Sequence, residues 1–124
     1  MTGELLKEII ITHSGRELNL LSRLKKNHDY IIKNNGFSVQ RKIKDPEVLN
    51  ICLLGDTDLN PLTSQQEESL VSIVSGAFLK EYNRSHSKLR KLPTLKLNLG
   101  SKVSKGDLLK RIRTFYRESK PYSL

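Results

Sequence analysis

One cysteine, Cys52, is all that the 124-residue chain contains. No internal disulfide and no multi-cysteine zinc site can form from it, and a reducing compartment is the expectation. Aromatic residues reach only 6%, too few to line a path of stacking platforms for a single nucleic-acid strand. Long apolar runs are missing as well. The longest are Ile9-Ile10-Ile11 and Ile51-Cys52-Leu53-Leu54, far short of the roughly 20 residues a membrane span needs. No basic segment followed by an apolar one opens the chain, so an intracellular protein, cytoplasmic or nuclear, is expected. Thr2 stands where N-myristoylation would need glycine. Neither a glycine-rich phosphate loop nor a nucleophile elbow occurs. No pair of short helices joined by a tight turn offers a groove-reading motif.

What the chain has in excess is positive charge, with 22 Lys and Arg against 13 Asp and Glu and a net +9. The charge is banded: residues 1–44 carry nine cations and four anions, residues 45–82 one cation and seven anions, and residues 83–124 twelve cations and two anions. The last third therefore supplies more than the whole net charge. A polyanionic partner is expected there, while the acidic centre suggests pairing within the fold or with a second copy.

Local patterns place the elements. Ser14-Gly15-Arg16-Glu17 has capping-box spacing, and Leu18, Leu21, Leu24, Ile31 and Ile32 follow a helical period ending at Gly36, so a helix is expected over about 15–34. Phe37 to Lys42 alternates, Pro46 marks a turn, and Val48 to Leu54 reads as a returning strand. Together they suggest an antiparallel hairpin. Ser64-Gln65-Gln66-Glu67 repeats the capping spacing and opens a helix carrying Leu70, Val71, Val74, Ala77, Phe78 and Tyr82 on one face. Its small residues Ser69, Ser72 and Gly76 predict close approach by another element. Asn83 to Pro93 is basic and reads equally as helix or loop. Thr94 to Leu99 alternates as a half-buried strand, and Ser104 caps a last helix over about 105–118 with Leu108, Leu109, Ile112, Phe115 and Tyr116 on its apolar face. Three consecutive isoleucines near the start favour a strand over a short helix.

The resulting order is β-α-β-β-α-β-α in one small α+β domain spanning 1–124, with 119–124 as a flexible tail. It corresponds to a ferredoxin-like split βαβ with an extra C-terminal helix. The alternative, with a helical start, is a three-stranded sheet with an N-terminal helix.

The residues best suited to neutralise phosphates are Arg84, Lys88, Arg90, Lys91, Lys96, Lys110, Arg113 and Arg117, the last three spaced as a cationic stripe on the final helix. The expectation is a non-enzymatic nucleic-acid-binding protein, RNA preferred over DNA and needing no cofactor. The alternative is a protein-interaction module or regulator that binds an acidic partner and self-associates as a homodimer. An amphipathic final helix lying on an anionic membrane is disfavoured, because so small a domain needs its apolar faces for a core. Asp56 and Asp58, just past an apolar strand, could hold Mg²⁺, but turn propensity accounts for them better. His13, His28 and His86 fall on different elements and suggest no metal or acid–base role. Cys52 reads as a small buried hydrophobe.

Overall fold

Three isoleucines in a row decide the centre of the molecule. In the computed structural model, which describes residues 6–15, 28–40, 45–84 and 93–119, they lie in strand β1 (Glu8–His13), the central-right member of a five-stranded sheet. The other strands are β2 (Tyr30–Ile32), β3 (Ser38–Gln40), β4 (Val48–Leu53) and β5 (Thr94–Asn98), in the spatial order β3-β2-β4-β1-β5. β1 runs parallel to both β4 and β5, and β2 runs parallel to β4. Only β3 is antiparallel, paired with β2 at one edge. Such mostly parallel ladders bury strands that read as continuous apolar runs.

One sheet face carries Ile9, Ile11, Ile32, Leu49, Ile51 and Leu53, all buried. Helix α1 (Ser64–Arg84) lays Leu70, Val71, Val74 and Phe78 on this face, and helix α2 (Lys105–Ser119) adds Leu108, Ile112 and Tyr116. Each fully buried aliphatic side chain of this set contributes about 1.5–3 kcal/mol. The helices meet directly: Phe78 and Tyr116 stack edge to face with centroids 5.5 Å apart, and the buried Ser75 hydroxyl donates to the Ile112 carbonyl at 3.4 Å. Close helix approach therefore runs through Ser75. Gly76, expected to serve it, has nothing within 4 Å of the position a Cβ would take; it lines an open groove instead.

Several expectations are corrected. Tyr30–Ile32 is a strand, so the helix predicted over 15–34 cannot extend that far; residues 16–27 lie outside those described. Ile31 and Ile32 are both fully buried, one on each sheet face, and β-branched residues fit a pleated ladder better than a helix end. The hairpin pairs β2 with β3 rather than residues 37–42 with 48–54. Gly36, at φ +86°, makes its turn: Lys33 N–H donates to Phe37 O at 2.9 Å and Gly36 N–H to Lys33 O at 2.8 Å. Because β1 lies between β4 and β5 and parallel to both, the ferredoxin-like order is overturned. The three-stranded alternative with a helical start also fails, since Glu8–His13 is a strand. What stands is a small α+β domain with a five-stranded mixed sheet and, among the described residues, two helices.

The α1 cap is displaced by one residue from the predicted box. Thr63 is the capping residue: its Oγ1 accepts from Gln66 N–H at 3.0 Å, and Gln66 Oε1 accepts from Thr63 N–H at 3.1 Å. The reciprocal pair is a capping box built on Gln in place of Glu67. Ser104 caps α2 as predicted, accepting from Asp107 N–H. The helix continues through Ser119, into the predicted tail.

Candidate functional site

In open sheets with parallel strands, ligands bind beyond the carboxyl ends of the strands, where the loops diverge. At that edge of this sheet β1 ends in His13, β4 in Leu53, β2 in Ile32 and β5 in Asn98. His13 is the one imidazole among these ends, half-buried. Its Nδ1 accepts the Thr57 backbone N–H at 3.0 Å. Since an amide can only be accepted by an unprotonated ring nitrogen, the neutral ring carries its proton on Nε2.

Thr57 is itself buried and holds three segments together. Besides its amide bond to His13, its Oγ1 accepts from Gly100 N–H at 2.6 Å and its carbonyl from Lys102 N–H at 2.9 Å. Asp58 Oδ1 accepts from Ser101 N–H at 3.0 Å, and Asp56 Oδ1 from Asp58 N–H at 3.0 Å. The loop after β4 is thereby tied to both β1 and the β5–α2 connection. Beside His13, Ser14 Oγ accepts from Gly55 N–H at 2.9 Å.

The same loop walls a cavity of about 450 Å³ whose polar lining is Asn34, Asp56, Thr57, Asn60, Thr63 and Gln66. That volume falls within the range of small-ligand clefts. Gln66, buried at the start of α1, donates from Nε2 to Leu54 O at 2.8 Å and to Asn34 Oδ1 at 3.3 Å. One side chain thus joins the carboxyl ends of β2 and β4 to the helix N-terminus. Thr57 belongs to the cavity wall and also donates to His13, which does not itself line the cavity, so the two are joined through Thr57.

Other candidates fall elsewhere. His28 shares a 3.2 Å hydrogen bond with Thr12 Oγ1. Burial pushes the Cys52 thiol up to about 11, against a weaker opposing hydrogen bond from Thr12. It is a buried hydrophobe, as expected, and not a nucleophile. Among the described residues no three His, Cys, Asp or Glu side chains gather as a metal ion would require. His86 lies outside those residues.

Among the described residues, Lys96, Lys110, Arg113 and Arg117 do not line this edge. Lys96 projects from β5 into an ion pair with Glu8 at 2.8 Å. Lys110, Arg113 and Arg117 are exposed along α2, and neighbouring Arg111 pairs with Glu67. Arg84 closes α1; Lys88, Arg90 and Lys91 lie outside the described residues. Sequence reasoning missed His13 and Thr57. Their signal was a histidine directly after an isoleucine run, which acquires meaning only once β1 is known to be an interior parallel strand.

No protein-family model and no curated protein matches the chain. Solved structures do. An N-acetylmuramoyl-L-alanine amidase, LysC from Clostridium intestinale URNW, superposes with a TM-score of 0.62 at 12% identity, over 88% of this chain and 87% of that one. The endolysine N-acetylmuramoyl-L-alanine amidase LysCS of the same organism gives 0.62 at 12% identity, over 88% and 85%. PGRP-Hd from Alvinella pompejana gives 0.55 at 12% identity, over 90% and 85%. The chain has the fold of these proteins.

This overturns the expected nucleic-acid role and its RNA preference. Those readings rested on net charge, which informs about partners and solubility but not about fold. The fold is instead shared with amidases and a PGRP. The expectation of a protein without turnover now stands beside structural neighbours that bear the names of enzymes.

Proposed function

We propose that this chain recognises the N-acetylmuramoyl-L-alanine unit of peptidoglycan, binding the sugar–peptide junction at the carboxyl edge of its parallel strands. The observation that carries the reading is the fold likeness over 88% of the chain, combined with a polar cavity and an imidazole at the edge where such sheets bind ligands. The cavity offers the side-chain amides of Asn34 and Asn60 and the carboxylate of Asp56. Groups of this kind suit a ligand whose own polar atoms are amide and hydroxyl groups.

The likeness at 12% identity supports the ligand class through fold analogy, while the residues at the edge supply the chemistry. Co-sedimentation with insoluble peptidoglycan tests the reading, with chitin and cellulose as controls. The expected result is retention on peptidoglycan alone, relieved by soluble N-acetylmuramoyl-L-alanyl-D-isoglutamine. Equal retention on all three polymers, or on none, would sink it. The same samples are assayed for newly exposed amino groups, which report cleavage of the muramoyl–alanine amide.

A further inference from the structure

We propose that His13 is a fixed hydrogen-bond donor that reads an amide carbonyl of the muramoyl-peptide and serves neither as a general base nor as a metal ligand. The inference rests on the peptidoglycan reading above and specifies how that site works. A neutral imidazole has one lone pair in the ring plane. Here Nδ1 spends it on the Thr57 amide at 3.0 Å. The opposite nitrogen keeps the proton and can only donate. To serve as a general base or as a metal ligand the ring must offer a free lone pair, and His13 offers none in this geometry.

The arrangement is held from behind. Thr57 is 3% exposed, and its side chain and carbonyl are occupied by the amides of Gly100 and Lys102. The peptide plane that carries its amide is held in turn by Asp56 O, which accepts from Leu59 N–H at 3.1 Å and Asn60 N–H at 3.0 Å, so the amide cannot turn away from the ring without breaking two further hydrogen bonds. Among the described residues the His13 ring has no other hydrogen-bond partner, which leaves Nε2–H for a ligand acceptor.

The engaged lone pair also bears on the neighbouring hydroxyl. Ser14 Oγ stands next in the chain, but a hydroxyl nucleophile needs an adjacent base, and the His13 lone pair is taken. Cys52 is fully buried. No cluster of three metal-ligating side chains forms among the described residues. What the edge does supply is a donor at His13, joined through Thr57 to a cavity lined by the Asn34 and Asn60 amides and the Asp56 carboxylate, and an amide carbonyl is the acceptor such a donor meets in a muramoyl-peptide.

Three measurements test this. Long-range ¹H–¹⁵N correlation spectra of the free protein at about pH 8 are expected to show His13 protonated at Nε2 and bare at Nδ1. A ring protonated at Nδ1 overturns the proposal. Titration with N-acetylmuramoyl-L-alanyl-D-isoglutamine compares the wild type with two variants. His13→Asn keeps an acceptor for Thr57 near the Nδ1 position but has no donor at the Nε2 position, and should lose about tenfold in affinity while its melting curve stays cooperative. His13→Gln, which returns an N–H donor further out, should recover part of that loss. Equal affinity in all three overturns the role of His13. Finally, any release of amino groups from peptidoglycan at saturating substrate should be as great in His13→Asn as in the wild type; release that His13→Asn abolishes would make the residue catalytic and overturn the inference. Absence of wild-type binding defeats the peptidoglycan reading and its ligand, whereas the tautomer is judged on the free protein by itself.

Discussion

Gly100 donates its amide to Thr57 Oγ1 across 2.6 Å, and the two chain segments approach so closely that a Cβ on Gly100 would collide with the backbone of Thr57 and Asp58. The obstacle is main chain, which cannot swing aside as a flexible side chain would. Gly100→Ala is therefore expected to destabilise the fold by about 1–3 kcal/mol, the usual range for overpacking a tight contact. It should also loosen the Thr57 amide from His13, so that muramoyl-peptide affinity falls along with stability. Urea unfolding and peptide titration on the same variant check this. Wild-type stability in Gly100→Ala would show that the β5–α2 connection is not pinned as described.

The contact between the helices gives a second expectation. Phe78 is 3% exposed and meets Tyr116 edge to face at 5.5 Å, within the geometry aromatic pairs prefer. Phe78→Ala removes a buried ring and leaves a cavity between α1 and α2, with an expected cost of about 3–5 kcal/mol. For a domain of this size that consumes most of an ordinary stability margin. The thermal transition should drop steeply or disappear. A loss below about 1 kcal/mol would mean that the two helices are not packed through this ring.

Both helices and the first and last strands were legible in the sequence because each carries its signal locally. Capping residues, a 3.6-residue stripe and an isoleucine run need no knowledge of neighbours. Even so the α1 cap moved to Thr63, because Gln66 pairs with it as reciprocally as Glu67 would have paired with Ser64. Strand β2 was hidden. It has three residues, and Ile31 and Ile32 are buried on opposite faces, so no alternation marks it. They also extend the apparent period of Leu18, Leu21 and Leu24. Gly36 at positive φ ends a helix or turns a hairpin equally well, and only pairing decides between them. A continuous apolar run marks a strand buried on both faces but not which strands flank it, so the place of β1 between β4 and β5 has no local signature.

The site was less legible than the fold. His13 looked unremarkable beside His28 and His86, because a strand end becomes a binding edge only through the order of strands. Thr57 sat in a stretch of Asp, Thr, Asn and Pro that turn propensity explains without remainder. The cations drew attention by number, yet Lys96 and Arg111 are engaged with Glu8 and Glu67.

Cys52 carries a pH-dependent contribution whose sign follows from its burial. Its thiol lies fully inside the fold and is pushed from 9.0 up to about 11. Below about pH 9 the thiol is protonated in folded and unfolded chains alike, and contributes no pH dependence. Between about 9 and 11 the unfolded chain releases this proton while the folded chain retains it, so stability falls as pH rises through that window, by about 2–3 kcal/mol in all. Cys52→Ala lacks the group and should show a correspondingly shallower decline. Urea midpoints collected across the window test the difference in slope. Identical slopes would place the thiol in contact with solvent, as would rapid labelling of the native protein by a thiol reagent.

The stripe of Lys110, Arg113 and Arg117 leads to the last expectation. All three are exposed on α2 and, among the described residues, none has an ion-pair partner. Reversing all three to Glu exchanges one set of mutually repelling charges for another and leaves Leu108, Ile112 and Tyr116 in place. The main cost falls at Arg117, in the last turn, where a cation favours the helix dipole and an anion opposes it, by about 0.3–1 kcal/mol each way. The triple variant is therefore expected to fold with a loss of about 1–2 kcal/mol. Its affinity for N-acetylmuramoyl-L-alanyl-D-isoglutamine should stay within about twofold, because the proposed edge is built by His13, Thr57 and the cavity walls. Calorimetric titration beside a thermal melt measures both quantities. A tenfold loss of affinity in a cooperatively folded triple variant would move the ligand from the strand ends to the surface of α2.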